Sequence, residues 1–167
     1  MSIVTETGSG SATAETYISK DDADTYHAAR GNDTWATITT AQKEQALRRA
    51  TEWMTQAFTS RWQGERAYPL VQALDWPRVG VTVNSVSVDY DIVPETIERA
   101  CAEMALRAAA GPLLDDLTQG VTSETVGPIQ VVYDKTSNRK TRYSAIEAML
   151  TPYLKAGGGI SMGLVRS

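Results

Sequence analysis

The chain has 167 residues, with 16 Lys and Arg against 20 Asp and Glu and a formal net charge of −4. One Cys and one His exclude an internal disulfide framework and a Cys/His zinc site, and no apolar run approaches the roughly 18 residues of a membrane span. A hydrophobic share of 42% beside 22% charged residues is globular composition, so one domain with its own core is expected. The opening MSIVTETGSGSATAE has neither the basic start nor the apolar stretch of a signal peptide, which points to the cytosol or a particle assembled there.

The first dozen or so residues are Gly-, Ser- and Thr-rich and read as an extended arm. Ser19 followed by Asp21 and Asp22 marks a helix start, since a hydroxyl and two carboxylates suit the free N–H groups of a first turn. Gly31 marks its end. Thr39 with Gln42 is a capping-box pattern. After it Ala46, Leu47, Ala50, Trp53, Met54, Ala57 and Phe58 recur at three- and four-residue steps, which predicts an amphipathic helix with one core stripe.

Arg61 to Arg66 read as the exit turn of that helix. In Leu74-Asp75-Trp76-Pro77-Arg78, Pro77 has no N–H to donate and constrains Trp76, so a fixed irregular crossing pinned to the core by the indole is expected. Stacking of Arg78 or Arg61 on that indole is the weaker alternative. Val86, Val88, Tyr90 and Ile92 alternate with polar residues, as a short strand with one wet face would. Pro94 opens the next helix, whose stripe is Ile97, Ala100, Cys101, Met104, Ala105 and Ala108, and Gly111-Pro112 closes it. Cys101 on that stripe reads as a small buried hydrophobe.

Residues 121–126 and 129–133 read as two short strands, with Pro128 arguing against a two-residue hairpin between them. Residues 134–142 form a polar loop with four basic groups. Ser144 with Glu147 suggests a second capping box, before a last helix that Pro152 should kink or end. Gly157, Gly158 and Gly159 make a flexible joint before the tail.

Little in this series carries chemistry. His27 with Asp24 three residues before it lacks any nucleophile signature, and His27 reads as a surface or cap residue. No phosphate-cradling glycine motif and no calcium-loop spacing is present. The reading is therefore non-enzymatic, without cofactor or metal. The best nucleic-acid candidates are Lys135, Arg139, Lys140 and Arg142, flanked by Tyr133 and Tyr143, which could stack on bases.

An ordered set of segments resembles a known family: Tyr17-Ile18-Ser19, Asp22 to Tyr26, Arg30-Gly31, Trp35, Ala46 to Trp53, Arg61 to Gly64, Gln72 to Arg78, Val93-Pro94, Glu124 to Gly127 and Leu150 to Leu154. Together they resemble the head-to-tail adaptor (connector) proteins of tailed bacteriophages. Similar sequences also carry the label of DnaT-like single-stranded DNA-binding proteins. The most specific piece is Leu74 to Arg78, with Trp76, Pro77 and Arg78 as its signature.

The resemblance implies a mainly α fold: a small helical bundle with a short β-hairpin, extended segments and extended N- and C-terminal arms. It divides the chain into an arm (1–16), a helical body (17–155) and a tail (156–167). The function implied is that of a structural neck protein of the virion, assembled in the host cytoplasm. Its partners would be a portal protein, copies of itself in a dodecameric ring, a downstream tail or nozzle protein and the double-stranded DNA in the channel, with no membrane. Gly157, Gly158, Gly159, Ile160, Met162 and Leu164 of the tail would contact the portal or a neighbouring subunit. The alternative is a single-stranded DNA-binding replication accessory protein.

Overall fold

A computed structural model describes residues 2–113, 123–126, 129–132 and 143–155, the two middle stretches as backbone only. The fold is mainly α. The described residues form five helices, α1 (Lys20–Ala28), α2 (Asp33–Thr37), α3 (Thr40–Phe58), α4 (Glu95–Ala110) and α5 (Ser144–Leu150), and three two-stranded antiparallel pairs, the first being β1 (Glu65–Arg66) with β2 (Arg78–Val79).

The α3–α4 pair is the centre of the molecule. Thr39 and Gln42 form the expected capping box at the head of α3. The stripe buries Ala46, Leu47, Ala50, Trp53, Met54 and Phe58, and each of the larger side chains contributes about 1.5–3 kcal/mol through burial. From α4, Ile97, Ala100, Cys101, Met104, Ala105 and Ala108 face it, as their spacing predicts. Thr51 is tolerated there because its hydroxyl donates to the Leu47 carbonyl at 3.0 Å and lies 3.4 Å from the Cys101 Sγ. Burial pushes the Cys101 thiol above its ordinary range, in keeping with an inert core cysteine.

The helix α1 starts on Ser19, whose hydroxyl accepts from the Asp22 N–H at 3.1 Å, and Gly31 sits beyond its end at φ +66°. The short α2, which no sequence signal announces, buries Trp35. Pro94 caps α4, and α5 stops at Leu150, where Pro152 falls in a single 3-10 turn, Thr151–Tyr153.

Three expectations are corrected. The alternation over residues 86–92 yields only β4 (Val86–Ser87), paired with β3 (Thr82–Val83). Asn84 and Ser85 turn that hairpin with φ of 50° and 67°, the mirror-image turn that suits strand twist. Among the described residues no second sheet covers the alternating face, and Val86, Tyr90 and Ile92 are exposed. At α5, Tyr143 rather than Ser144 occupies the cap position and no side chain caps it. Being one residue further in, Ser144 is helical and cannot serve as the cap. Finally β5 (Ser123–Val126) and β6 (Ile129–Val132) pair with Val126 opposite Ile129. The paired ends are therefore separated by two positions in the sequence.

The N-terminal segment forms no helix or strand, doubles back so that Val4 to Glu6 meet Glu15 and Thr16, and lies on the chain's own body. Thr5 bridges Thr16, and the Glu6 N–H donates to the Thr16 carbonyl at 2.9 Å. The buried Glu6 carboxylate accepts from the N–H groups of Gly8, Gly10 and Ser11 at 2.8, 3.0 and 2.7 Å. Gly8 is obligatory: at φ +106° it passes so close to Asp91 that a Cβ would lie 1.9 Å from the carbonyl oxygen.

Candidate functional site

The Leu74–Arg78 run forms a buried polar node. Asp75 is 1% exposed, and one carboxylate oxygen accepts from Arg66 at 2.9 Å. The other accepts from the Thr59 hydroxyl at 2.6 Å and the Trp62 indole at 3.2 Å. The Asp75 N–H donates to the Tyr17 hydroxyl at 3.0 Å. Burial, and then the Asp75 charge, push the Tyr17 phenol far above its ordinary range.

Arg78 is buried and spends its guanidinium on backbone. Nε donates to the Gln63 carbonyl (2.7 Å), and its terminal nitrogens donate to the carbonyls of Asp75 (3.0 Å) and Gly64 (2.7 Å). Burial lowers its pKa, with the Asp75 charge pulling the other way. Trp76 is fully buried, edge-on to Trp62 and to Tyr153, both at 5.7 Å between ring centres. The Trp76–Pro77 peptide is cis. Neither arginine stacks on Trp76. Arg61 lies over Phe58 at 4.9 Å and pairs with Glu147 at 3.7 Å. The node is thus an internal joint: Thr59, Trp62 and Arg78 direct their donors to protein acceptors, the Trp76 indole N–H is buried without a hydrogen-bond partner among the described residues, and Arg78 has no free edge for a phosphate.

His27 is not a surface residue. It is 1% exposed, with Nε2 3.1 Å from the Ala102 carbonyl and Nδ1 3.0 Å from the Asn32 amide, and it packs on Trp35 at 4.6 Å. The short α2, invisible to periodicity, brings Trp35 over it. These contacts fix the neutral imidazole with its proton on Nε2. Burial lowers its pKa, opposed by the Ala102 carbonyl. Asp24 faces the Trp35 indole (2.7 Å), Lys43 (2.9 Å) and Lys20 (3.2 Å) instead of His27. Burial works to raise its pKa, and those three partners outweigh it, so the net direction is down.

Positive charge on the described surface is largely committed. Lys20 and Lys43 pair with Asp24, Arg48 with Glu15, Arg66 with Asp75, Arg99 with Glu95 and Arg107 with Glu103. Arg30 lies 3.5 Å above the Tyr26 ring. The sequence candidates Lys135, Arg139, Lys140 and Arg142, and the tail residues Gly157, Gly158, Gly159, Ile160, Met162 and Leu164, lie outside the described residues. The described residue that follows the basic stretch in sequence, Tyr143, is held on the body. The Tyr143 hydroxyl donates to the Leu113 carbonyl, and the Tyr143 ring meets Trp53 edge-on at 5.1 Å. Among the described residues, no group of three His, Cys, Asp or Glu is placed to hold a metal ion. Among them, no helix is long and apolar enough to cross a membrane.

A family model described as "Putative DnaT-like ssDNA binding protein" matches residues 1–167. No curated protein and no solved structure matches the chain.

Proposed function

Because the chain belongs to this DnaT-like single-stranded DNA-binding family, we propose that it is a non-enzymatic accessory protein that binds single-stranded DNA through Lys135, Arg139, Lys140 and Arg142. The distribution of charge carries the reading. Most cations of the described body are already neutralised by carboxylates, whereas residues 135–142 hold four basic groups and no acidic one. Binding to a phosphate backbone depends on uncommitted cations whose counterions are released. Tyr133 borders the stretch on one side and offers an aromatic face for sequence-tolerant stacking, while Tyr143 on the other side is held by Trp53 and Leu113. The overall negative charge favours this limited contact over a broad electrostatic footprint.

Titration of a fluorescently labelled oligo-dT at several salt concentrations tests the proposal. Four phosphate contacts give a log–log salt slope of about −3, at roughly −0.7 per contact on a single strand. Changing Lys135, Arg139, Lys140 and Arg142 together to Ala should abolish the slope and most of the affinity. Binding that survives this change, or no binding at low salt, removes the proposal.

The head-to-tail adaptor is the second reading, and the comparisons supply nothing for it. One observation favours it: Leu70 is 97% exposed beside Val71 at 60%, a surface that protein contact would cover and nucleic acid would not. Portal, ring neighbours and nozzle protein belong to this reading. Incubation with a purified portal ring, followed by sedimentation, decides it: no co-sedimentation removes it.

A further inference from the structure

Beyond α5 the chain pairs with the exit of α3. Trp62 bridges Leu154 in the antiparallel sense, with the Gln63 N–H donating to the Tyr153 carbonyl at 3.0 Å and the Lys155 N–H to the Arg61 carbonyl at 2.7 Å. The Gln63 side-chain amide locks the same backbone, donating to the carbonyls of Pro152 (2.8 Å) and Leu154 (3.2 Å). Side chains alternate along such a pairing. Trp62 and Leu154 are buried, so the register sets Arg61 opposite Lys155 on the other face, where both are exposed.

Like charges directly opposite each other on one face of a backbone pairing are destabilising, and their neighbours offset this only in part. The Glu147 carboxylate lies 3.7 Å from Arg61, longer than a hydrogen bond. Lys155 makes no ion pair among the described residues, and its ammonium donates to the Ser60 carbonyl at 3.3 Å. Arg61 is already oriented, since its guanidinium lies over the buried Phe58 ring at 4.9 Å. Its side chain is still about half exposed. Two cations thus stand side by side on a fixed frame, and holding them for an anion costs little further entropy.

The pair stands near Tyr143, the residue that follows the basic stretch in sequence. The Glu147 N–H donates to the Tyr143 carbonyl at 3.0 Å, and Glu147 is the carboxylate beside Arg61. We infer that Arg61 and Lys155 contact two successive phosphates of the same single strand that residues 135–142 bind, so that the strand runs from the basic stretch onto the body. This rests on the single-stranded DNA reading and extends it to a surface of the described fold. Arg61 brings a planar fork and Lys155 a point charge, both suited to phosphate oxygens. Two contacts alone hold a strand weakly. The pair therefore acts on a strand already captured by the stretch, and binding is still lost when Lys135, Arg139, Lys140 and Arg142 are removed.

Salt-dependent titration of a long labelled oligo-dT with the full chain tests it. With these two contacts added to the four of the stretch, the parent slope should lie near about −4, at roughly −0.7 per contact. Arg61→Ala combined with Lys155→Ala should make it shallower by about 1.4, and Lys155→Ala alone by about half of that. Both side chains are exposed, so circular dichroism and melting temperature should match the parent. Arg99→Ala combined with Arg107→Ala removes the same charge from cations paired with Glu95 and Glu103, and should leave the slope at the parent value. An unchanged slope in the Arg61 and Lys155 variant overturns the inference. An equal change in the Arg99 and Arg107 variant overturns it as well, because net charge then accounts for the effect. A parent that binds no oligo-dT defeats the single-stranded DNA reading itself, whereas a parent that binds with a slope indifferent to Arg61 and Lys155 defeats this inference alone.

Discussion

The hydroxyl of Tyr143 donates to the carbonyl of Leu113 at 3.2 Å, across 30 positions of sequence. This bond joins the residues that flank positions 114–142 in the sequence. The Tyr143 ring is independently held by Trp53. Tyr143→Phe keeps the ring and removes the bond, so a loss of about 0.5–1.5 kcal/mol is expected in urea unfolding. Tyr143→Ala also removes the aromatic contact and should cost more. Equal losses for the two would mean that the hydroxyl accounts for the whole effect.

Asp75 gathers Arg66, Thr59 and Trp62 on one buried carboxylate. Asp75→Ala strands all three donors. Because Arg66 is about one-third exposed, water compensates in part, and a cost of about 2–4 kcal/mol is expected, below that of a fully buried pair. Chemical denaturation measures it. A change under 0.5 kcal/mol would show that the node is dispensable.

Arg78 separates shape from charge. Its three carbonyl acceptors demand a planar fork, and a lysine ammonium cannot reach all three positions. Arg78→Lys retains the charge and should still destabilise by about 2 kcal/mol or more. A melting curve superimposable on the parent would refute this account of the motif.

His27 sets a pH dependence. Burial lowers its pKa in the folded chain below the ordinary 6.5, so near that pH the unfolded chain binds the proton more readily. Stability should be fully present above about pH 7 and should fall as pH drops through 6.5 toward the folded value. Proton uptake also forces a second N–H against the Asn32 amide. His27→Gln should flatten this slope in melting temperatures measured between pH 5 and 8. An unchanged slope would assign it to other groups.

The long helices α3 and α4 are legible because each has both periodicity and an end signal. Thr39 with Gln42, Pro94 and Gly111-Pro112 bounded stripes that the structure buries on one face. Five-residue α2 has too few turns for a stripe, so nothing in the sequence marks Trp35 over His27 or the burial of that histidine. The run at Leu74 to Arg78 could be singled out by its proline and tryptophan. Its chemistry could not, because the partners of Asp75 and Arg78 come from Tyr17, Thr59, Gln63, Gly64 and Arg66, brought together only by the fold. The same holds for Glu6, whose three donors follow it in a glycine-rich stretch that reads from composition as a plain arm.

Six rings follow one another through the body: Tyr143, Trp53, Phe58, Trp62, Trp76 and Tyr153, each within 5.7 Å of the next. Three of the chromophores that dominate ultraviolet emission therefore sit close enough to exchange excitation, while Trp35 stands apart beside His27. The molecule consequently carries its own optical probe, with one end at the return of the basic stretch and the other two residues before Lys155. Disturbance at either exit should register as a change in the colour or intensity of emitted light, with no dye attached.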